Sequence, residues 1–233
     1  MVIERLENRR LFAVEVTQGF PGFYEVTGDD SDDAITIAVD QTARTITVNG
    51  VSYGHASFVN VYGYGGNDVV NVAGNAGVIG VAVRAGDGDD VVTLAGVNGG
   101  VWGGAGSDRI DLEGVPRGQA YGEGDDDHIV VSGTCPGADL RGGAGDDVVD
   151  AQGSTVPVVL YGDEGRDRLY GSPKADILDG GAGRDILFGR DGDDQFYSRD
   201  GELDYIVGGG GIDTCLADVS EMNISGVEVI LTP

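Results

Sequence analysis

A nine-residue beat constrains this sequence more than any other feature. Residues 103–111 read GGAGSDRID, 142–150 read GGAGDDVVD and 180–188 read GGAGRDILF, sharing the form G-G-x-G-x-D-x-U-x, where U is a large apolar residue. Looser copies are GYGGNDVVN (63–71), AGDGDDVVT (85–93), YGEGDDDHI (121–129), GDEGRDRLY (162–170), GSPKADILD (171–179), GRDGDDQFY (189–197), RDGELDYIV (199–207) and GGGGIDTCL (208–216), and GDDSDDAIT (28–36) reads as a precursor-like copy. Repetition at a short fixed period marks an architecture in which each unit buries its apolar side only against its neighbours.

The spacing sets the geometry. Asp90, Asp108 and Asp126 lie 18 apart, and from Asp167 through Asp176, Asp185, Asp194, Asp204 and Asp213 the step is 9 or 10. Apolar residues keep the beat where aspartates drop out: Val92, Val101, Ile110, Ala120, Ile129, Leu140, Val149, Leu160, Leu169, Leu178, Leu187, Phe196, Ile206 and Cys215 follow at 9 to 11 residues. Nine residues make a loop and a short strand, and two such units make one coil. The expected fold is all-β: a parallel β-roll, a right-handed solenoid of about 18 residues per coil, with U inward and strands stacked about 4.8 Å apart. One flank should carry Asp90, Asp108, Asp126, Asp147, Asp167, Asp185 and Asp204, and the other Asp176, Asp194 and Asp213.

Both ends depart from the beat. The alternating runs AITIAV (34–39) and RTITVNG (44–50), with Asn49-Gly50 as a turn, read as antiparallel strands. The expected organisation is a separate segment 1–13, an N-terminal antiparallel β cap over 14–61, the roll over 62–217, and a C-terminal capping strand within 218–233. No helix is expected.

The motif suits a hard cation. Glycine reaches positive φ and lets carbonyl oxygens approach a ligand closely, while the aspartate adds a carboxylate. Two loops 18 residues apart supply about six oxygens, the number and type calcium prefers over magnesium's rigid octahedron. The candidate metal positions are Gly65, Gly66 and Asp68, then Gly86, Gly88 and Asp90, then Gly103, Gly104, Gly106 and Asp108. Gly122 and Gly124 follow with either Asp126 or Asp127, then Gly142, Gly143, Gly145 and Asp147, then Gly162, Gly165 and Asp167. The last group is Asp176, then Gly180, Gly181, Gly183 and Asp185, then Gly189, Asp191 and Asp194, then Asp204, then Gly208, Gly209, Gly211 and Asp213. Lys174 and Glu202 stand where the fourth motif glycine belongs, so Asp176 and Asp204 are expected to serve weaker sites. Stacked carboxylates about 4.8 Å apart repel by roughly 0.9 kcal/mol per pair even at the dielectric of water. The roll is therefore expected to be largely unfolded until several calcium ions bridge them.

Composition agrees. The formal charge is -26, from 40 acidic and 14 basic residues, yet 40% of the chain is hydrophobic, too much for a disordered acidic tail. Such a charge repels nucleic acid and anionic membranes. With only His55, His128, Cys135 and Cys215 as softer ligands, zinc and iron–sulfur sites are excluded. No apolar run approaches the roughly 20 residues needed to cross a bilayer. Cys135 and Cys215 lie 80 residues apart, about 21 Å along the stack, too far for a disulfide. No H-E-x-x-H, G-x-S-x-G or Cys/His pair occurs, and carboxylates that repeat are ligands rather than a unique active site. No enzyme is expected. His128 reads as an exposed strand residue, Trp102 as a residue at the coil surface, and Tyr62, Tyr64, Tyr121 and Tyr161 as structural neighbours of the loops rather than a sugar-binding strip.

These repeats resemble those of the RTX (repeats-in-toxin) calcium-binding proteins, over roughly 63–217. The resemblance implies a parallel β-roll, export, and folding triggered by external calcium near 10⁻⁴–10⁻³ M. The segment Arg5–Phe12 also resembles the short L-E-x-R-x-L segment near the start of exported bacterial surface proteins. The expected function is a secreted or cell-surface, calcium-folded structural or adhesive module, its candidate partners being a surface polysaccharide or other surface proteins. The alternative is an accessory module of a polysaccharide lyase or epimerase, for which Arg84, Arg109 and Arg141 are candidate bases. A passive calcium buffer is a third.

Overall fold

The computed structural model describes residues 14–75, 77–218 and 223–231. Among them there is no helix; 24 strands form two twelve-stranded sheets, and from Phe23 onward, apart from one inserted hairpin, the chain alternates between the sheets. One sheet begins with Glu15–Gln18, Phe23–Thr27, Phe58–Gly65 and Gly80–Asp87 and ends at Val229–Leu231. The other runs from Val51–Tyr53, Thr45–Val48, Ala34–Asp40 and Val69–Gly74 to Asn223–Ser225. From Phe58–Gly65 onward every pairing is parallel. The expected β-roll is what forms, with about 9 turns of about 19 residues.

The coil length is not uniform. Val83, Val101, Ala120, Leu140, Leu160, Leu178, Phe196 and Cys215 are register partners in turn, which makes the steps 18, 19, 20, 20, 18, 18 and 19. These residues and their counterparts on the second sheet are 0–1% exposed and fill the space between the sheets. Each strand shows the same two-residue alternation, as in Asp139–Ala144, where Leu140 is buried between half-buried Asp139 and Arg141. A coil thus buries few side chains, each touching the coils above and below.

The N-terminal region is more roll-like than its sequence reads. Ala34–Asp40 and Thr45–Val48 do pair antiparallel, and Thr45–Val48 turns into Val51–Tyr53 through Asn49 (φ 45) and Gly50 (φ 82). But Phe23–Thr27 and Ala34–Asp40 also pair in parallel with Phe58–Gly65 and Val69–Gly74. Residues 23–40 are therefore a first coil with a hairpin inserted after it, and Glu15–Gln18 lies antiparallel across its edge. At the other end Asn223–Ser225 and Val229–Leu231 continue the parallel stacking.

Candidate metal sites

The loop at 142–147 shows how the motif works. Gly143 (φ 126) and Gly145 (φ 147), the second and fourth motif positions, turn the chain through conformations costly to any residue with a β-carbon. The first glycine is needed for space. A β-carbon on Gly142 would collide with Oδ2 of Asp147, and one on Gly103 with Oδ2 of Asp108. On Gly103 it would also come within 2.7 Å of the Gly122 carbonyl oxygen in the next coil. A carboxylate oxygen and a carbonyl oxygen thus crowd together at the first glycine. Some loops hold the same positive φ without glycine, at Tyr64, Glu123, Asp125, Asp163 and Arg190.

The aspartates form two rows. In the first, the backbone N–H of each donates to Oδ1 of the next, from Asp33 through Asp68, Asp90, Asp108, Asp127, Asp147, Asp167 and Asp185 to Asp204, at 2.7–2.9 Å. In the second, Val158 donates to Asp176, Asp176 to Asp194, Asp194 to Asp213, and Asp213 to Oε2 of Glu228. All these aspartates are 0–3% exposed. Yet Oδ2 of Asp68, Asp90, Asp108, Asp127, Asp147, Asp167, Asp185, Asp194, Asp204 and Asp213, and Oδ1 of Asp33, have no hydrogen-bond partner. A buried polar atom left so costs about 1–3 kcal/mol, more when charged.

Without metal these carboxyls resist ionisation. Burial pushes Asp127 up to about 8, Asp108, Asp167, Asp185 and Asp194 to about 7, and Asp68, Asp90 and Asp147 to about 6. The N–H from the preceding coil pulls each back, and neighbouring carboxylates push further up. Asp176, Asp204 and Asp213 are raised by the same burial. Among the described residues no three His, Cys, Asp or Glu side chains converge, so an ion here would draw mainly on backbone carbonyls with a lone carboxylate from each loop. Repeated orphaned carboxylate oxygens beside carbonyls, in loops a β-carbon would fill, fit calcium, which accepts all-oxygen sites of flexible geometry.

Most aspartates fall where their spacing puts them, with one correction. The first row runs through Asp127, not Asp126. Asp126 is exposed and its Oδ1 accepts the N–H of Asp146. The acidic run hides the slip, because Asp125 (φ 71) takes the fourth-glycine position, but counting two residues back from inward Ile129 gives Asp127, as Asp108 precedes Ile110. The same one-place shift puts Gly65, Gly124 and Asp191 in the spacer position, with Gly63 against Asp68 and Gly192 (φ 128) making the turn before Asp194. Asp176 is unlike the rest: Ser172 gives its backbone N–H to Oδ2 and its hydroxyl to Oδ1, leaving no orphan. Asp204 keeps its orphaned oxygen despite Glu202.

Sequence reasoning missed two things. Asp33 and Glu228 extend the rows by a coil at their ends, the first foreshadowed by GDDSDDAIT. A second ladder runs outside the first through the residue before the motif aspartate: Asp32, Asn67, Asp89, Asp126, Asp146 and Asp193 accept backbone N–H groups from the following coil at 2.8–3.1 Å. Its signal is the recurrent Asp-Asp or Asn-Asp pair. The candidate bases are each held by neighbouring side chains. Arg109 pairs with Asp111 and His128, Arg141 with Asp139 and Asp163, and Arg84 lies over Trp102 and Tyr62. Cys135 and Cys215 are both buried and do not form a disulfide with each other. The segment Arg5–Phe12 lies outside the described residues.

The family model of the RTX calcium-binding nonapeptide repeat matches the chain in four copies, over residues 51–79, 139–154 and 161–196. No curated protein matches it as a relative. The coils between the matched segments, from 80 to 138, keep the same parallel register and aspartate row. With repeats, register and orphaned carboxylates in agreement, the chain is a calcium-binding β-roll of RTX repeats that takes up several Ca²⁺ ions.

Proposed function

We propose that the chain works outside the cell as a calcium-folded structural or adhesive module, and that its ions sit along the two aspartate rows. The observation that carries this is the set of eleven buried, unpartnered carboxylate oxygens among the described residues. Such a chain gains its fold where calcium is abundant and stays open where calcium is scarce, which suits export before folding. Extracellular calcium modules work at about 10⁻⁴–10⁻³ M. Asp68, Asp90, Asp108, Asp127, Asp147, Asp167, Asp185 and Asp204 with the glycines before them form the longer proposed row of sites, and Asp194 and Asp213 the shorter. The role is non-catalytic in this reading, since the carboxylates repeat with the coil instead of gathering at one place.

The test is retention on cells. Labelled protein added to the producing cells should stay bound in millimolar calcium and be released by chelator. Equal retention with and without calcium would refute the adhesive part. Turnover of alginate or pectin by the purified chain would refute the non-catalytic part.

A further inference from the structure

The first sheet carries an open groove of about 680 Å³ on its outer face, within the usual range for ligand pockets. Its floor has almost no side chains: Gly80, Ala82 and Gly100 lie side by side on neighbouring strands. Phe58 leans over Gly80 from one side, and the edge of Trp102 closes the groove at Gly100. Trp102 is itself clamped between Arg84, 4.8 Å from its ring, and Tyr121, stacked at 5.7 Å.

The remaining wall is built from the residues that lengthen these coils. The steps from Val101 to Ala120 and from Ala120 to Leu140 are 19 and 20 residues, and the extra length forms the turns at Pro116–Arg117 and Pro136. The N–H of Arg117 donates to the Pro136 carbonyl at 3.0 Å, and fully buried Val115 and Cys135 pin both turns to the core. Arg117 is held at φ 54, in the left-handed region. Among the described residues its guanidinium has neither an ion pair nor a hydrogen bond. Non-glycine residues held in the left-handed region cluster at binding and active sites, and here one of them places a guanidinium on the rim of the groove.

The lining chemistry selects the ligand. Among the described residues no Asp or Glu lines the groove, so nothing there recognises a cation. The field of a chain at -26 repels polyanions. Apolar rings and prolines alternate with Asn98, Arg117 and Gln119, groups that pair with the C–H faces and hydroxyl edges of a sugar. We propose that this groove binds a neutral polysaccharide chain. The assignment deepens the adhesive reading above and rests on it, but it concerns a face of the roll apart from the calcium loops.

Trp102 is the only tryptophan, so its fluorescence reports the groove directly. Calcium-loaded protein, shown folded by circular dichroism, is titrated with cellohexaose, xylohexaose and chitohexaose, and with hexagalacturonate as the acidic control. At least one neutral hexasaccharide should shift the emission saturably. Arg117→Ala should weaken that binding tenfold or more without altering the dichroism, whereas Tyr197→Ala, exposed on the same sheet, should leave it unchanged. No response to any neutral oligomer, a response to the acidic one alone, or binding indifferent to Arg117→Ala would overturn the proposal. Failure of calcium to produce the dichroism would instead count against the calcium-folded module itself.

Discussion

At the scale of single residues, two adjacent aspartates have opposite fates. Asp127 is buried with an orphaned Oδ2, while Asp126 is exposed and holds one N–H of the outer ladder. Asn67 already fills the outer role in its own coil, so Asp126→Asn should shift the calcium midpoint of folding less than twofold. Asp127→Asn removes a proposed ligand and should raise it several-fold in the same titration. Asp176 is the second contrast, since Ser172 satisfies it from within the chain. Asp176→Asn should leave the number of calcium ions bound, counted by equilibrium dialysis, unchanged. Ser172→Ala should destabilise the calcium-loaded roll by about 1–3 kcal/mol, the cost of stripping a partner from a buried carboxylate. The aspartate rows were legible because their period is the coil's own. Asp126 and Asp127 could not be separated by composition in a run of three, and Ser172 reads as a defective motif until its contacts are seen.

At the scale of the loop and coil, glycine's places are set by two demands, positive φ at the second and fourth positions and bare space at the first. Glu123 (φ 83) meets the first demand under strain. Glu123→Gly should raise the stability of the calcium-loaded protein by about 1 kcal/mol, the order of the left-handed penalty, read as a higher Tm. The loops also set a pH dependence. Unfolded, these aspartates titrate near the ordinary 3.8, whereas folded and metal-free they are held up to about 6 at Asp68, about 7 at Asp108 and about 8 at Asp127. The folded chain then binds more protons, and a raised pKa contributes stability that is full below about 3.8 and lost as pH climbs through 6 to 8. Calcium-free protein should therefore gain β-structure on acidification from pH 8 towards pH 4. A calcium-free chain that loses structure on acidification would contradict this. The N-terminal coil was harder to read: its hairpin strands are plain in AITIAV and RTITVNG, but parallel pairing of Ala34–Asp40 with Val69–Gly74 spans a 35-residue step that no 18-residue beat reveals.

At the scale of the whole molecule, the roll is nearly one-dimensional. Each coil touches only its neighbours, and the hydrogen bond from each aspartate N–H to the next carboxylate ties adjacent loops together. On the outer face of the first sheet a matching line of Tyr62, Arg84, Trp102 and Tyr121 packs strand to strand, and Arg141 lies 3.9 Å from the Tyr161 ring further along. Against these stands a charge of -26, much of it carried by the loops. Calcium reverses that balance by supplying the partner each buried carboxylate lacks, so folding and metal uptake should occur as one transition. Circular dichroism of the chelator-treated chain at pH 7.5, titrated with calcium and in parallel with magnesium, tests this most directly. A cooperative coil-to-β transition at submillimolar to millimolar calcium, absent with magnesium, is the predicted result. A chain already fully β in chelator, or folded equally well by magnesium, would contradict it.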